Sequence, residues 1–195
     1  MKNSILILCL CLFWFSCDNP TESESCDDNT EVRLWDICYN IEETTFLSLY
    51  NQGLSGTIPT EIERLVNLKY LYLPNNNLSG NIPPEIGNLT ELKRIYLDYN
   101  EFTGHIPSEI GNLENLETLT LNHNHLDGVI PSEIFNLSNL TTLWLHSNQL
   151  SGVISDSFCN LPDSIFTLYS NKFCPPYPDC ISQEDIDSQD ISNCP

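Results

Sequence analysis

The stretch 67–100 reads NLKYLYLPNNNLSGNIPPEIGNLTELKRIYLDYN, and its second part restates its first. Leu71, Leu73, Asn76, Gly80, Pro83 and Ile86 return 24 positions later as Ile95, Leu97, Asn100, Gly104, Pro107 and Ile110. Units of this period begin near Thr44, Leu68, Leu92, Leu116 and Leu140, with a truncated sixth near Pro162. A unit of 24 residues is too small to bury its own apolar face. Its neighbours must do so by stacking, and the chain is therefore expected to form a solenoid.

The residue types at fixed offsets predict the shape of each coil. Alternation in YLYL, RIYL, TLTL and TLWL turns two apolar side chains inward and the residues between them outward, as in a half-buried strand. Successive strands then pair into one parallel sheet. Asn76, Asn100, Asn124, Asn148 and Asn171 follow the strand at one offset, with Gln52 in that place in the first unit. A buried amide needs partners on both its ends, so these asparagines are expected to join the backbone of one coil to that of the next. Glycines at 56, 80, 104, 128 and 152 mark a turn or a close approach, and the Ile-Pro steps ending at Pro59, Pro83, Pro107 and Pro131 predict extended segments leading into short 3₁₀ turns.

The pattern in LKYLYLPNNNLSGNIPPEIGNL resembles the plant-type leucine-rich repeat of receptor-kinase ectodomains and polygalacturonase inhibitors, over residues 44–173. The resemblance implies an α/β solenoid, a right-handed curved stack with a parallel sheet on the concave face, short 3₁₀ or loop segments on the convex face, and disulfide-linked caps. The chain departs from the pattern at Glu63 and Phe135, where a glycine is replaced, and at Ser155, where proline is replaced. Those turns are expected to be looser.

Lys2 precedes an apolar run from Ile5 to Phe15 that ends at Ser16 and Cys17, which reads as a secretory signal over residues 1–17. The cysteine placed after the run resembles a bacterial lipoprotein signal, with Cys17 lipidated, residues 18–25 a flexible tether and the protein on a bacterial outer membrane. The ending CPPYPDC and DISNCP likewise resembles secreted bacterial repeat proteins. Six cysteines remain, enough for three disulfides. Cys26 and Cys38 are expected to pair in an N-terminal cap over 26–43, with Leu34, Trp35 and Ile37 available to cover the first coil. Cys159, Cys174, Cys180 and Cys194 fasten a C-terminal cap and tail over 174–195; their pairing, 159 to 180 with 174 to 194 or 159 to 174 with 180 to 194, stays open. Asp185, Asp187 and Asp190 lack the spacing of a calcium loop and read as a solvated tail.

The formal net charge of −20 makes nucleic acid and anionic membrane poor partners, so membrane contact is expected only through a lipid at Cys17. The outward strand residues are unusually aromatic for positions outside the core. Tyr70, Tyr72, Arg94, Tyr96, Asp98, Tyr99, Asn122, His123, Trp144, His146 and Tyr169 are expected to form a concave patch suited to a protein or peptide. The alternatives are a carbohydrate-binding or adhesive surface, an inhibitor of a secreted hydrolase, and a stabilising aromatic ladder without a ligand. Catalysis by His123, His146 and Asp98 is disfavoured by their open position and by the lack of GxSxG, HExxH or phosphate-cradling glycine motifs, so no catalytic residue, metal or cofactor is expected. Asn77, Asn88, Asn136 and Asn139 stand in formal glycosylation triplets, part of which the repeat itself produces.

Overall fold

The computed structural model describes residues 26–161 and 165–194. It opens with an antiparallel hairpin, β1 (Glu31–Leu34) and β2 (Ile37–Asn40), turning through Trp35 and Asp36 at positive φ. A Cys26–Cys38 disulfide ties the hairpin to the chain ahead of it. Val32 and Leu34 are buried and cover the end of the first coil, Trp35 packs partly against it and donates its indole N–H to Thr57 O, and Ile37 turns away, 45% exposed. The expectation that Ile37 joins the cover is therefore corrected. Ile37 pairs in register with Leu34, but it lies on β2, whereas β1 is the strand that packs against the first convex turn.

Six coils follow, and each contributes one strand to a parallel sheet: β3 (Phe46–Ser48), β5 (Tyr70–Tyr72), β7 (Arg94–Tyr96), β9 (Thr118–Thr120), β11 (Thr142–Trp144) and β13 (Ile165–Thr167). The register repeats the sequence period, with Leu47, Leu71, Ile95, Leu119 and Leu143 side by side and all buried. The last step is one residue shorter, since Leu143 pairs with Phe166. A second parallel ladder runs along the flank through β4 (Ser55–Gly56), β6 (Asn77–Gly80), β8 (Glu101–His105) and β10 (His125–Asp127), and β12 (Ser151–Val153) pairs with β14 (Lys172–Cys174). The convex side carries five 3₁₀ turns, Thr60–Arg64, Pro84–Asn88, Ser108–Asn112, Ser132–Asn136 and Asp156–Asn160. Proline precedes the first four at φ between −59° and −71°, where its ring sets the extended entry. In the fifth, Ser155 compensates for the missing proline by accepting a hydrogen bond from Ser157 N at 3.2 Å.

Between strand and flank, the asparagines hold the coils at their spacing. Asn124 is representative: its Oδ1 accepts from Phe102 N of the preceding coil at 3.0 Å, and its Nδ2 donates to Leu97 O of that coil at 3.1 Å and to Leu121 O of its own at 3.0 Å. Asn76, Asn100, Asn148 and Asn171 repeat the arrangement at 2.8–3.1 Å. All five are buried, where an unpaired amide would be costly. On the convex side the glycines serve packing. A Cβ built on Gly111 would lie 2.4 Å from Glu133 Cβ and 3.0 Å from its backbone, so only glycine lets these turns approach. Phe135 breaks that rule and instead packs edge-on against Phe158 at 5.7 Å.

The far end is closed differently. Disulfides Cys159–Cys180 and Cys174–Cys194 fold the tail back onto the last coil. There a single turn of helix, α1 (Gln183–Asp187), capped by Ser182, is presented to the last strand. Asp185 is buried and accepts from Leu168 N at 2.7 Å, Ser188 Oγ accepts from Ser170 N at 3.2 Å, and Gln189 accepts from Phe173 N and donates to Leu168 O at 3.2 and 3.0 Å. Side chains thus supply the acceptors that the backbone of a further coil would have supplied. The acidic tail is not simply solvated, because Asp185 satisfies a sheet edge.

Asn124→Ala removes the donor and the acceptor of one coil junction together, and is expected to lower unfolding stability by roughly 2–4 kcal/mol. Asn77→Ala, one residue past the ladder asparagine of the coil two before and exposed, should change it by no more than about 0.5 kcal/mol. Urea unfolding followed by circular dichroism compares the two.

Candidate functional site

The open face of the six-stranded sheet carries the outward residues of every strand. Its first half is an aromatic herringbone: Phe46 stands 5.2 Å from Tyr72 and 6.0 Å from Tyr70, and Tyr72 meets Tyr96 edge-on at 4.6 Å. Such ring pairs prefer edge-to-face contact because the positive rim of one meets the negative face of another. Arg94 lies beside them. Its guanidinium hydrogen-bonds the Tyr72 side chain, and this, more than Glu117 at 3.6 Å, holds its pKa above the ordinary value.

The second half is built by the turn after each strand. Asn51, Asn75, Tyr99, His123, Ser147 and Ser170 all adopt φ of 53° to 57°, a left-handed conformation that residues larger than asparagine seldom take. The row lifts Tyr99 and His123 to the surface, where their rings stack at 4.2 Å. His123 meets His146 edge-on at 5.2 Å, and His146 stacks on Tyr169 at 4.3 Å. The Asp98 carboxylate accepts from Thr120 Oγ1 at 2.7 Å.

The predicted residues thus share one face but do not stand at one height. Tyr70, Tyr72, Tyr96, Asp98, His123 and Tyr169 are half-buried, and Arg94, Tyr99 and Trp144 are exposed. Asn122 and His146 are 3% and 8% exposed and belong to the floor, which corrects the expectation that they present a free surface. The cause for His146 is its neighbours, since it lies among the rings of His123, Trp144 and Tyr169 with Nδ1 2.6 Å from Thr167 Oγ1. Strand alternation reveals the direction of a side chain, not whether neighbours overtop it. Phe46, an outward strand position not counted in the patch, joins the herringbone, and Glu117, just ahead of β9, reaches the face through its contact with Arg94.

Burial pushes His146 down to about 4, the nearby His123 adds to the lowering, and Asp185 opposes it. His146 is therefore neutral near pH 7. Among the described residues the one group of three potential metal ligands within reach of each other is Cys26, Glu31 and Cys38, whose two cysteines are already joined. Asp98, His123 and His146 do not converge in that way.

Residues 22–159 match the sequence profile of the leucine-rich repeat region. The chain belongs to the leucine-rich repeat family. No curated protein matches it. Among solved structures it resembles the Arabidopsis receptor kinase HAESA in complex with the peptide hormone IDA and the co-receptor SERK1, at 38% identity and a TM-score of 0.66, over 69% of this chain and 23% of that one. It also resembles a plant ice-binding protein, at 34% identity and a TM-score of 0.63 over 66% of this chain and 42% of that one. The Arabidopsis BIR3–SERK2 complex matches at 29% identity and a TM-score of 0.60, over 87% of this chain and 88% of that one. This leucine-rich repeat chain therefore spans only about a quarter of the length of the HAESA chain.

These likenesses overturn the placement on a bacterial outer membrane, since the receptors that share the repeat are plant proteins. Cys17 lies outside the described residues. The misreading has a physical root: an apolar run followed by cysteine is a short signal, while the repeat is a long and specific one. Three disulfides place this leucine-rich repeat protein in an oxidising compartment. Among the described residues no helix is long and apolar enough to cross a membrane. The repeat region resembles the ectodomains of plant receptor kinases.

The depressed pKa of His146 fixes a sign for the pH dependence of stability. Between pH 6.5 and about 4 the unfolded chain binds a proton that the folded chain refuses. The His146 contribution is expected to be whole above pH 6.5, to be lost as pH falls toward about 4, and to be level below that. His146→Gln should flatten this part of the profile, and urea midpoints at stepped pH, with NMR titration of the imidazole, measure it.

Proposed function

We propose that the concave face of this leucine-rich repeat protein captures an extended peptide or a protein segment, through the rings of Tyr72, Tyr96, Tyr99, Trp144 and Tyr169 and the polar groups of Arg94, Asp98 and His123. The observation that carries the reading is the row of partly exposed aromatic rings on an open sheet. Their T-shaped contacts hold each other in place, so little side-chain entropy is lost when a partner lies down on them. An enclosed pocket is not needed for such a partner, because an extended chain can run across the strands and meet one row of rings after another. The likeness to a receptor in complex with a peptide hormone supports the same reading. Residues 26–43 and 174–195 act as caps, and residues 44–173 carry the recognition surface. Asn122 and His146 support it from beneath. A neutral glycan would stack on the same rings and is the competing occupant.

Selection from a random peptide library against the folded protein supplies a binder. Tyr96→Ala and Trp144→Ala are each expected to weaken that binder at least about tenfold by calorimetry, as interface aromatic anchors do. Glu133→Ala on the convex side should leave its affinity unchanged. Equal affinity in all three variants, or displacement of the peptide by neutral oligosaccharides alone, would remove the peptide reading.

A further inference from the structure

The six-stranded sheet is closed at one end and open at the other. Just beyond β13 the side chains of Asp185, Ser188 and Gln189 meet the backbone groups that a further coil would have met. At β3 no such seal exists among the described residues. In the next coil two residues bond backward: Tyr70 N donates to Thr45 O at 3.2 Å, and Tyr72 O accepts from Leu49 N at 2.8 Å. The equivalent groups of the first coil, Phe46 N and Ser48 O, have no coil before them and, among the described residues, no hydrogen-bond partner. Gln52, which stands where later coils carry a bridging asparagine, turns its Nε2 back onto Tyr50 O of its own turn at 3.1 Å.

The core beneath that edge is also incompletely covered. Leu49 and Leu54 are half-buried, whereas their equivalents in the next coil, Leu73 and Leu78, are 0% exposed. The hairpin leaves them so because β1 packs on the first convex turn, where Trp35 is tied to Thr57 O. Sheet edges of this kind are ordinarily guarded by a charge, a proline or a bulge. β3 has neither charge nor proline, and residues 44–60 carry no charged side chain in a chain with 27 acidic and 7 basic residues. Just ahead of that neutral run stand Glu42 and Glu43, both exposed and, among the described residues, in no ion pair.

We propose that the open edge of β3 takes up an extended segment of a partner protein as a seventh, parallel strand, neutral and alternately apolar along β3 and led by a basic residue or a free amino group. Strand addition of this kind draws affinity from main-chain hydrogen bonds and selectivity from alternate side chains. The direction is parallel because the same edge of β5 and of β7 is filled by a parallel strand. Inward side chains of the guest then cover Leu49 and Leu54, and outward ones lie beside Phe46 and Tyr50, which are 53% and 56% exposed. Its leading end lies at the start of β3, where Glu42 and Glu43 favour a positive charge and oppose a negative one. A second copy of this chain is the poorer occupant, since two bodies of formal charge −20 repel each other. The edge lies apart from the rings to which peptide capture is assigned above and does not depend on them.

The probe is the amidated peptide LKYLYLPNN, a copy of residues 68–76 with a free amino terminus. Within the protein that stretch offers β7 the groups that β3 lacks, since Lys69 O accepts from Arg94 N at 3.2 Å and Leu73 N donates to Tyr96 O at 2.9 Å. Isotope-labelled full-length protein is titrated with it, and the backbone amides of Phe46 and Ser48 are followed by NMR. The expected result is a saturable shift of both amides and slower hydrogen exchange at each. A peptide N-methylated at the copy of Leu73, which then cannot donate to Ser48 O, should bind at least about tenfold more weakly. One N-methylated at the copy of Tyr70, whose N–H faces away from β3, should bind like the parent peptide. Glu42→Gln combined with Glu43→Gln should weaken the parent peptide about threefold at low salt and have no effect at high salt. No saturable shift, or equal affinity of the two N-methylated peptides, would overturn the proposal. Phe46 and Ser48 amides already protected from exchange in the free protein would overturn it too, sedimentation as a dimer then assigning the edge to a second copy and sedimentation as a monomer to the chain's own upstream residues. None of these results bears on Tyr96 or Trp144, so the concave-face reading stands or falls separately.

Discussion

One carboxamide per coil sets the geometry of this protein. Leucines in each coil are driven inward without direction, and burial alone would allow neighbouring coils to slide or splay. The asparagine after each strand removes that freedom, because its two ends must reach backbone groups of two adjacent coils at once. A slip of one residue would leave several buried polar groups unpaired, each costing on the order of 1–3 kcal/mol. The sheet register, the left-handed turn residues and the rows on the concave face all follow from that bridge.

Because the register is fixed, residues far apart in sequence become neighbours with defined roles. Tyr72, Tyr96, Thr120 and Trp144 form a line across the strands, aromatic except at the buried Thr120. Rings of the first half support one another, while Tyr99 and His123 of the second half are themselves the left-handed turn residues that raise their rings. Backbone strain of that kind persists only where the surroundings enforce it, and here the ladder does so. The flank behaves differently. His105 and Val129 lie over the glycines of the next coil, and Asn81, His105, Val129 and Val153, an amide, an imidazole and two valines, form no uniform row.

The period, the inward leucines and the asparagine positions were legible in the sequence because each is repeated, and repetition separates a structural demand from an accident. The height of a side chain was not. Asn122 and His146 have the alternation of surface residues, and only the sizes and rotamers of their cross-strand neighbours bury them. The pairing of the last four cysteines was undetermined for a similar reason, since it depends on a tail that folds back by contacts found nowhere else in the chain. The roles of Asp185, Ser188 and Gln189 belong to that same unrepeated region. The hairpin was half legible: its disulfide spacing stood out, but that Val32 and Leu34 cover the first coil while Ile37 does not depends on which strand of the ribbon lies against it.

The side-chain seal at the last strand also bears on how such a protein changes size. Asp185, Ser188 and Gln189 recognise only the coil they touch, and the opening hairpin packs only on the first, so neither terminator senses how many modules lie between them. Duplication or loss of an internal module would reproduce junctions already present, and would lengthen or shorten the docking platform in increments of one strand. Reach is thus an inheritable integer, adjustable without renegotiating either end.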